Sequence, residues 1–200
     1  MPYFRSLPPR IKDGKQRLAI DFNLISYYGK PTDEEAPYII RSQAKAGTCS
    51  FYAYATVYVI RKGKRVTVAI TSVRQYDTEV AVITRLLDKI SQLNLKIKRL
   101  YLDRGFFNGT KIRWLKALDI PFEMPVVIRG KKAGTRQLLK FGASYKTTYT
   151  MKSQKYGSVT FNIWVVCVYN KGKYGKQGIE YFAYAIHKVQ LGLRGCENIP

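Results

Sequence analysis

The chain has 200 residues, 46% of them apolar, enough for one folded domain with a buried core. Thirty-five Lys and Arg stand against 13 Asp and Glu, a formal net charge of +22, which points to a polyanionic partner, nucleic acid first. The same composition argues against a disulfide framework, a zinc site and a membrane span: there are three widely spaced cysteines (Cys49, Cys167 and Cys196), one histidine (His187), and no run near the roughly 20 apolar residues of a membrane helix.

The basic residues are spread over the chain rather than along one face of an apolar helix, so a membrane surface ranks well below DNA or RNA as a partner. The N-terminus is rich in Pro, Arg and Lys and lacks a signal-peptide core, so the expected location is cytoplasmic. Residues 1–16 are expected to form a loose basic lead-in. Arg17 to Phe22 then reads as an apolar strand that ends at, or passes through, Asp21, with Leu24 to Tyr28 as its continuation and Gly29-Lys30-Pro31 as its stop. The acidic patch Asp33-Glu34-Glu35 reads as a solvated loop.

Two strands follow, Ser50 to Arg61 and Arg65 to Val73, joined by the Gly-containing turn Lys62-Gly63-Lys64 as a hairpin. From Thr78 to Leu93 the period changes: Val80, Ile83, Leu87 and Ile90 recur at helical spacing, and Asp77 or Thr78 can cap the helix. Ile97 to Leu102 is the next strand and runs straight into Asp103-Arg104-Gly105-Phe106. A second helix is expected over about Asn108 to Leu118. Pro121 and Pro125 then bracket the approach to an apolar strand, Val126-Val127-Ile128.

After Arg129, the loop Gly130-Lys131-Lys132-Ala133-Gly134-Thr135-Arg136 is basic and glycine-containing, which suits phosphate contacts and equally suits a solvated loop. Three more strands are expected, Ser144 to Met151, Val159 to Asn170 and Ile179 to Lys188. Tyr and Lys interleave here, as on a nucleic-acid-facing sheet or on a half-buried one. His187 falls in the last of these, where a packed or exposed edge residue is expected. Antiparallel strands first, and strands alternating with helices afterwards, define a mixed α/β sheet.

Asp103 follows a strand and precedes a turn and a helix, which is where open α/β sheets place their sites. Capping the next helix, or pairing with Arg104, is the plainer role for it. Asp21 and Asp103 supply hard oxygen donors from two strands, a set that suits Mg²⁺ or Mn²⁺ and phosphodiester chemistry in a basic protein.

The element order, Ala19-Ile20-Asp21-Phe22, and above all Tyr101-Leu102-Asp103-Arg104-Gly105-Phe106 resemble the DDE transposases of bacterial and archaeal insertion sequences, in the branch carrying an Asp-Arg-Gly-Phe signature. The resemblance spans roughly residues 17–190. It implies an RNase H-like catalytic core over 17–143, a β-rich insertion over 144–190 and an irregular tail over 191–200. It implies that Asp21 and Asp103 are the first two catalytic metal ligands, for a pair of Mg²⁺ or Mn²⁺ ions. Arg104 would lie near the scissile phosphates, and Arg129, Lys131, Lys132 and Arg136 are further candidate DNA contacts. The activity implied is cleavage and strand transfer of double-stranded DNA at transposon ends, with a homodimer as the expected assembly of the full-length family. The pattern departs at the third acid, a helical Glu in a Tyr-x-x-Arg-x-x-x-Glu-x-x-x-x-x-x-Lys signature: Glu180 opens a strand, and Glu197 is followed closely by Pro200. The expectation is therefore a truncated core, inactive alone. A non-catalytic basic nucleic-acid-binding module and an RNase H-like nuclease are the alternatives.

Overall fold

A computed structural model describes residues 11, 13–131, 134–153, 157–171 and 177–189. Among these, nine strands and two α-helices form an α/β-type fold, and the chain divides into two compact units, Met1–Lys98 and Arg99–Pro200.

In the first unit, β1 (Lys15–Tyr27), β2 (Ile39–Lys45), β3 (Thr48–Arg61) and β4 (Lys64–Val73) make an antiparallel sheet. The long strand β3 is its spine. β1 pairs with one edge of β3, while β2 and β4 share the other edge, at its start and its end. Strict alternation writes the two faces of β3: Phe51, Ala53, Ala55, Val57 and Val59 are buried, and Tyr52, Tyr54, Thr56, Tyr58 and Ile60 are half-buried. The expected hairpin forms at Lys62-Gly63, with Gly63 at φ 69°. A second hairpin, β2–β3, went unread because its turn is Ala46-Gly47, with φ of 52° and 79°, instead of a familiar Asn-Gly pair. Helix α1 (Glu79–Gln92) buries Val82, Ile83, Leu86 and Ile90. Thr78 is its N-cap, accepting from the Ala81 N–H, while Asp77 instead pairs with Arg85. Asn94, at φ 55°, ends the helix in a left-handed turn closed by Leu95 N–H to Ile90 C=O at 3.1 Å.

In the second unit the sheet order is β5-β6-β9-β8-β7. β5 (Lys96–Tyr101) and β6 (Phe122–Pro125) run parallel, joined through helix α2 (Gly109–Ala117). β6 meets β9 (Gln177–His187) antiparallel, and β8 (Gly157–Lys171) and β7 (Tyr145–Ser153) continue antiparallel. The sheet is thus mixed, as expected. One boundary is corrected: the strand after α2 is Phe122–Pro125, and Val126 to Ile128 lie beyond it. Pro125 ends the strand instead of introducing it, because beyond it Val126 N–H alone still reaches across, to Ala183 C=O.

The Tyr–Lys interleaving resolves into two faces. Tyr145 and Tyr149 lie on the side of Val165 and Phe161, with Tyr149 and Phe161 in edge contact at 5.9 Å. Lys146 and Lys152 lie on the opposite, exposed side. His187 stacks against Phe122 at 5.8 Å and sits 3.4 Å from Asp119; it is packed at the end of β9, a strand paired on both sides and not an edge. Cys49 and Cys167 are free thiols; Cys196 lies outside the described residues. No described helix is long and apolar enough to cross a membrane.

Candidate functional site

Asp103 owes its setting to the end of β5. Leu102 is held by its N–H to Glu123 C=O at 3.1 Å and is buried, so the chain leaves the sheet one residue later. Asp103 Oδ1 accepts the Arg104 N–H at 2.6 Å and caps the 3-10 turn Arg104–Phe106. Phe106 is buried beneath this turn. The Lys111 ammonium lies over its ring at 5.4 Å and donates to Gly105 C=O at 3.2 Å, and burial lowers the Lys111 pKa. Both sequence readings of Asp103 are therefore compatible with its geometry: it caps a turn, and its carboxylate remains exposed at the carboxyl end of a strand.

A second loop completes the site. Arg129 N–H donates to Thr135 Oγ1 at 2.8 Å, and that hydroxyl donates to Val127 C=O at 2.8 Å from a nearly fully buried position. Gly134 is required here: its φ is +77°, and a Cβ would meet the Arg129 carbonyl oxygen at 2.9 Å. The staple ties Thr135 to Val127 and Arg129, and Arg136 N–H adds a bond to Arg129 C=O at 3.2 Å. Asp103, Arg104 and Arg129 line one cavity of about 600 Å³. A neighbouring cavity of about 400 Å³ shares Phe107, Val127 and Arg129 with it and adds Arg113, Lys152 and Tyr149.

The remaining expected residues divide. Arg136 does not stand free, because its Nε donates to Gly130 C=O at 2.7 Å and locks the loop. Lys131 is exposed on that loop, and Lys132 lies outside the described residues. Asp21 belongs to the first unit. It is exposed in the middle of β1, opposite Thr56, so the strand passes through it and does not end there. Glu180 is exposed within β9, opposite Val168. Glu35, read as part of a solvated patch, instead accepts from Tyr52 Oη at 2.8 Å and from Thr32 N–H at 3.0 Å. These bonds lower its pKa, led by the Thr32 N–H, and raise Tyr52 to about 12.

Sequence reasoning missed Glu123, Arg113 and Lys152. Glu123 is buried on β6 and pairs with Arg99 at 2.9 Å; burial first, and then this carboxylate, raises the Tyr184 pKa, while Arg104 opposes them. A lone carboxylate inside the apolar run Ile120 to Met124 was the available signal. No group of three His, Cys, Asp or Glu side chains clusters for a metal among the described residues.

No protein-family model matches the chain, and no curated protein matches it. Among solved structures, the chain is similar to one described as the cryo-EM structure of piggyBac transposase synaptic complex with hairpin DNA. The TM-score is 0.47 at 12% sequence identity, over 89% of this chain and 35% of that one. The chain thus spans about a third of that protein's length, and a likeness of this size fixes neither ancestry nor activity.

Proposed function

We propose that the chain is part of the catalytic domain of a DDE-type DNA transposase, with an RNase H-like core, acting on DNA phosphodiesters with Mg²⁺ or Mn²⁺. The observation that carries the proposal is the cavity at the end of β5, which the exposed Asp103 lines together with Arg104 and Arg129. A carboxylate suits a hard divalent cation, and planar guanidinium groups suit phosphate oxygens. A bound ion would supply activation of the attacking hydroxyl and stabilisation of the leaving oxygen. The chain's own residues then have simpler tasks. Asp103 holds the ion, Arg104 and Arg129 orient the phosphate, and the Thr135 staple keeps Arg129 in place. Asp21 enters as the other metal-ligating carboxylate on the strength of the sequence resemblance alone.

Two carboxylates without the third that the resemblance calls for give a polypeptide that binds DNA and a divalent ion but does not complete strand transfer alone. The test is Mn²⁺ titration of the purified chain, followed by magnetic resonance or calorimetry, with and without a transposon-end-sized DNA duplex. Asp103→Asn should weaken Mn²⁺ binding at least tenfold while leaving metal-free thermal stability unchanged or raised, since a charge is removed from the ion site. Asparagine keeps the capping oxygen, so Asp103→Ala decides the other reading: loss of about 1 kcal/mol of stability with no change in Mn²⁺ binding would make Asp103 a turn cap and the chain a non-catalytic binding module. Metal-dependent nicking that Asp103→Ala abolishes would overturn the claim of inactivity alone. Cleavage of RNA–DNA hybrids in preference to duplex DNA would favour an RNase H-like nuclease.

A further inference from the structure

The first unit carries a sheet face whose aromatic residues have no part in the proposed chemistry at Asp103. Register fixes which residues share it. On β3, Tyr54, Thr56 and Tyr58 alternate on the side opposite the buried Ala53, Ala55, Val57 and Val59. On β1 their partners are Asn23, Asp21 and Ala19, with Arg17 next in the alternation; on β4 they are Ser72, Ile70 and Thr67. Both tyrosines are half-buried, Arg17 is exposed, and Ile70 is 47% exposed. The Arg65 guanidinium lies over the Tyr58 ring at 5.4 Å, held there by the ring's quadrupole.

We infer that this face is a stacking platform for single-stranded nucleic acid. Two aromatic rings four residues apart on a strand are separated by about 13 Å, a span of two to three nucleotides in an extended single strand. Ile70, beside Thr56, supplies apolar surface between the rings for an intervening base. Arg65 and Arg17 supply the phosphate partners, in a chain whose net charge of +22 already attracts a polyanion. A duplex offers only stacked and paired bases, so it engages the arginines and not the rings. Asp21 is the acid on this face, and its charge opposes phosphate. The platform should therefore bind more tightly when that charge is removed.

The test is fluorescence anisotropy of labelled dT12 and rU12, and of a 12-base-pair duplex, in EDTA at low salt with the full chain. Wild type should bind the single strands, and Tyr54→Ala/Tyr58→Ala should weaken them at least tenfold while changing duplex binding less than threefold. Tyr54→Phe/Tyr58→Phe should keep single-strand affinity within about threefold, since stacking needs the ring and not the hydroxyl. Asp21→Asn should tighten it about threefold. Because the double alanine variant could fail to fold, wild type is also photocrosslinked to 5-iodouracil oligonucleotides, with the adduct expected at Tyr54 or Tyr58. The inference is overturned by adducts only in other strands, by single-strand affinity unchanged in a folded alanine variant, or by equal loss of duplex binding. It is also overturned if the tyrosine substitutions alter self-association and leave oligonucleotide binding intact, which would make the face a contact between copies. Metal is absent throughout, so these outcomes are separate from those for Asp103.

Discussion

The two units set the same residue type, an aspartate in or after an apolar run, into different surroundings. In the first unit Asp21 sits mid-strand in an antiparallel sheet, and the pleat surrounds it with neighbours from β3 on one open face. In the second, Asp103 follows the last residue pair of a parallel strand, and a 3-10 turn carries it to the lip of a cavity. A strand that passes through an acid spreads its chemistry over a surface, whereas a strand that stops at one can focus it in a concavity, where fields are stronger and partners converge. The basic partners follow suit: Arg65 lies over a tyrosine ring on the open face, whereas Arg104 and Arg129 line the Asp103 cavity.

The largest effects should come from the cores on which these two settings rest. Leu86 on α1 and Leu115 on α2 are both fully buried. Either Leu→Ala change should cost about 3 kcal/mol, from lost transfer energy and the cavity left behind. Native-state hydrogen exchange locates the damage: Leu86→Ala should loosen β3, β4 and α1, and Leu115→Ala should loosen β7, β8 and α2. The contrast breaks if each variant loosens the other unit's strands as much as its own.

A smaller loss is expected at Glu123. Its pairing with Arg99 leaves side chains only 10% and 17% exposed, so Glu123→Leu takes the carboxylate away from a mostly desolvated guanidinium. The expected cost is about 2 kcal/mol, below that of a fully buried broken pair. Urea unfolding measures it. Arg99→Met/Glu123→Leu should recover most of the loss, because an apolar pair needs no charge compensation; no recovery would mean that Glu123 acts through other partners.

How much of this was legible depends on how local the physics is. The helices were readable, the first with Asp77 or Thr78 as its cap, because Thr78 bonds to an N–H three residues on; Asn108, read as the start of the second helix, is its cap. The strands β3, β4, β7, β8 and β9 were readable from alternation and β-branched content. The Asp103 turn was readable because strand, acid and glycine are contiguous. What escaped is long-range or disguised. β2 is short and polar, so only its pairing with β3 declares it. The Arg113 and Lys152 contributions to the second cavity join α2 to β7, some 40 residues apart, and no spacing rule connects them. Thr135 looked like filler in a basic loop, yet its hydroxyl positions Arg129. The tyrosines of β3 were visible as composition; their common face needed the register.

The smallest effect concerns pH and tests the first unit alone. Asp77 accepts from both guanidinium nitrogens of Arg85, at 2.9 and 2.5 Å, and from the Arg74 N–H at 2.8 Å. The Arg85 hydrogen bonds are the largest cause holding its pKa at about 2, against an ordinary 3.8. A depressed carboxylate stabilises the fold above its unfolded pKa, and that stabilisation is lost as pH falls through the folded value. The contribution should therefore be complete above about pH 5 and mostly lost by about pH 2, the remainder going as pH falls toward 1. Arg85 is 37% exposed, so solvent screening cuts the value implied by the shift to about 1 kcal/mol. Asp77→Asn should show this as a gap from wild type in urea midpoint at pH 6 that mostly closes by pH 2. A gap that persists in full at pH 2 would assign the stabilisation to the Arg74 N–H bond, which an asparagine oxygen retains only in part, and not to charge. A gap absent at both values would mean that the pair is worth no more than an ordinary surface contact, leaving Thr78 to anchor the start of α1.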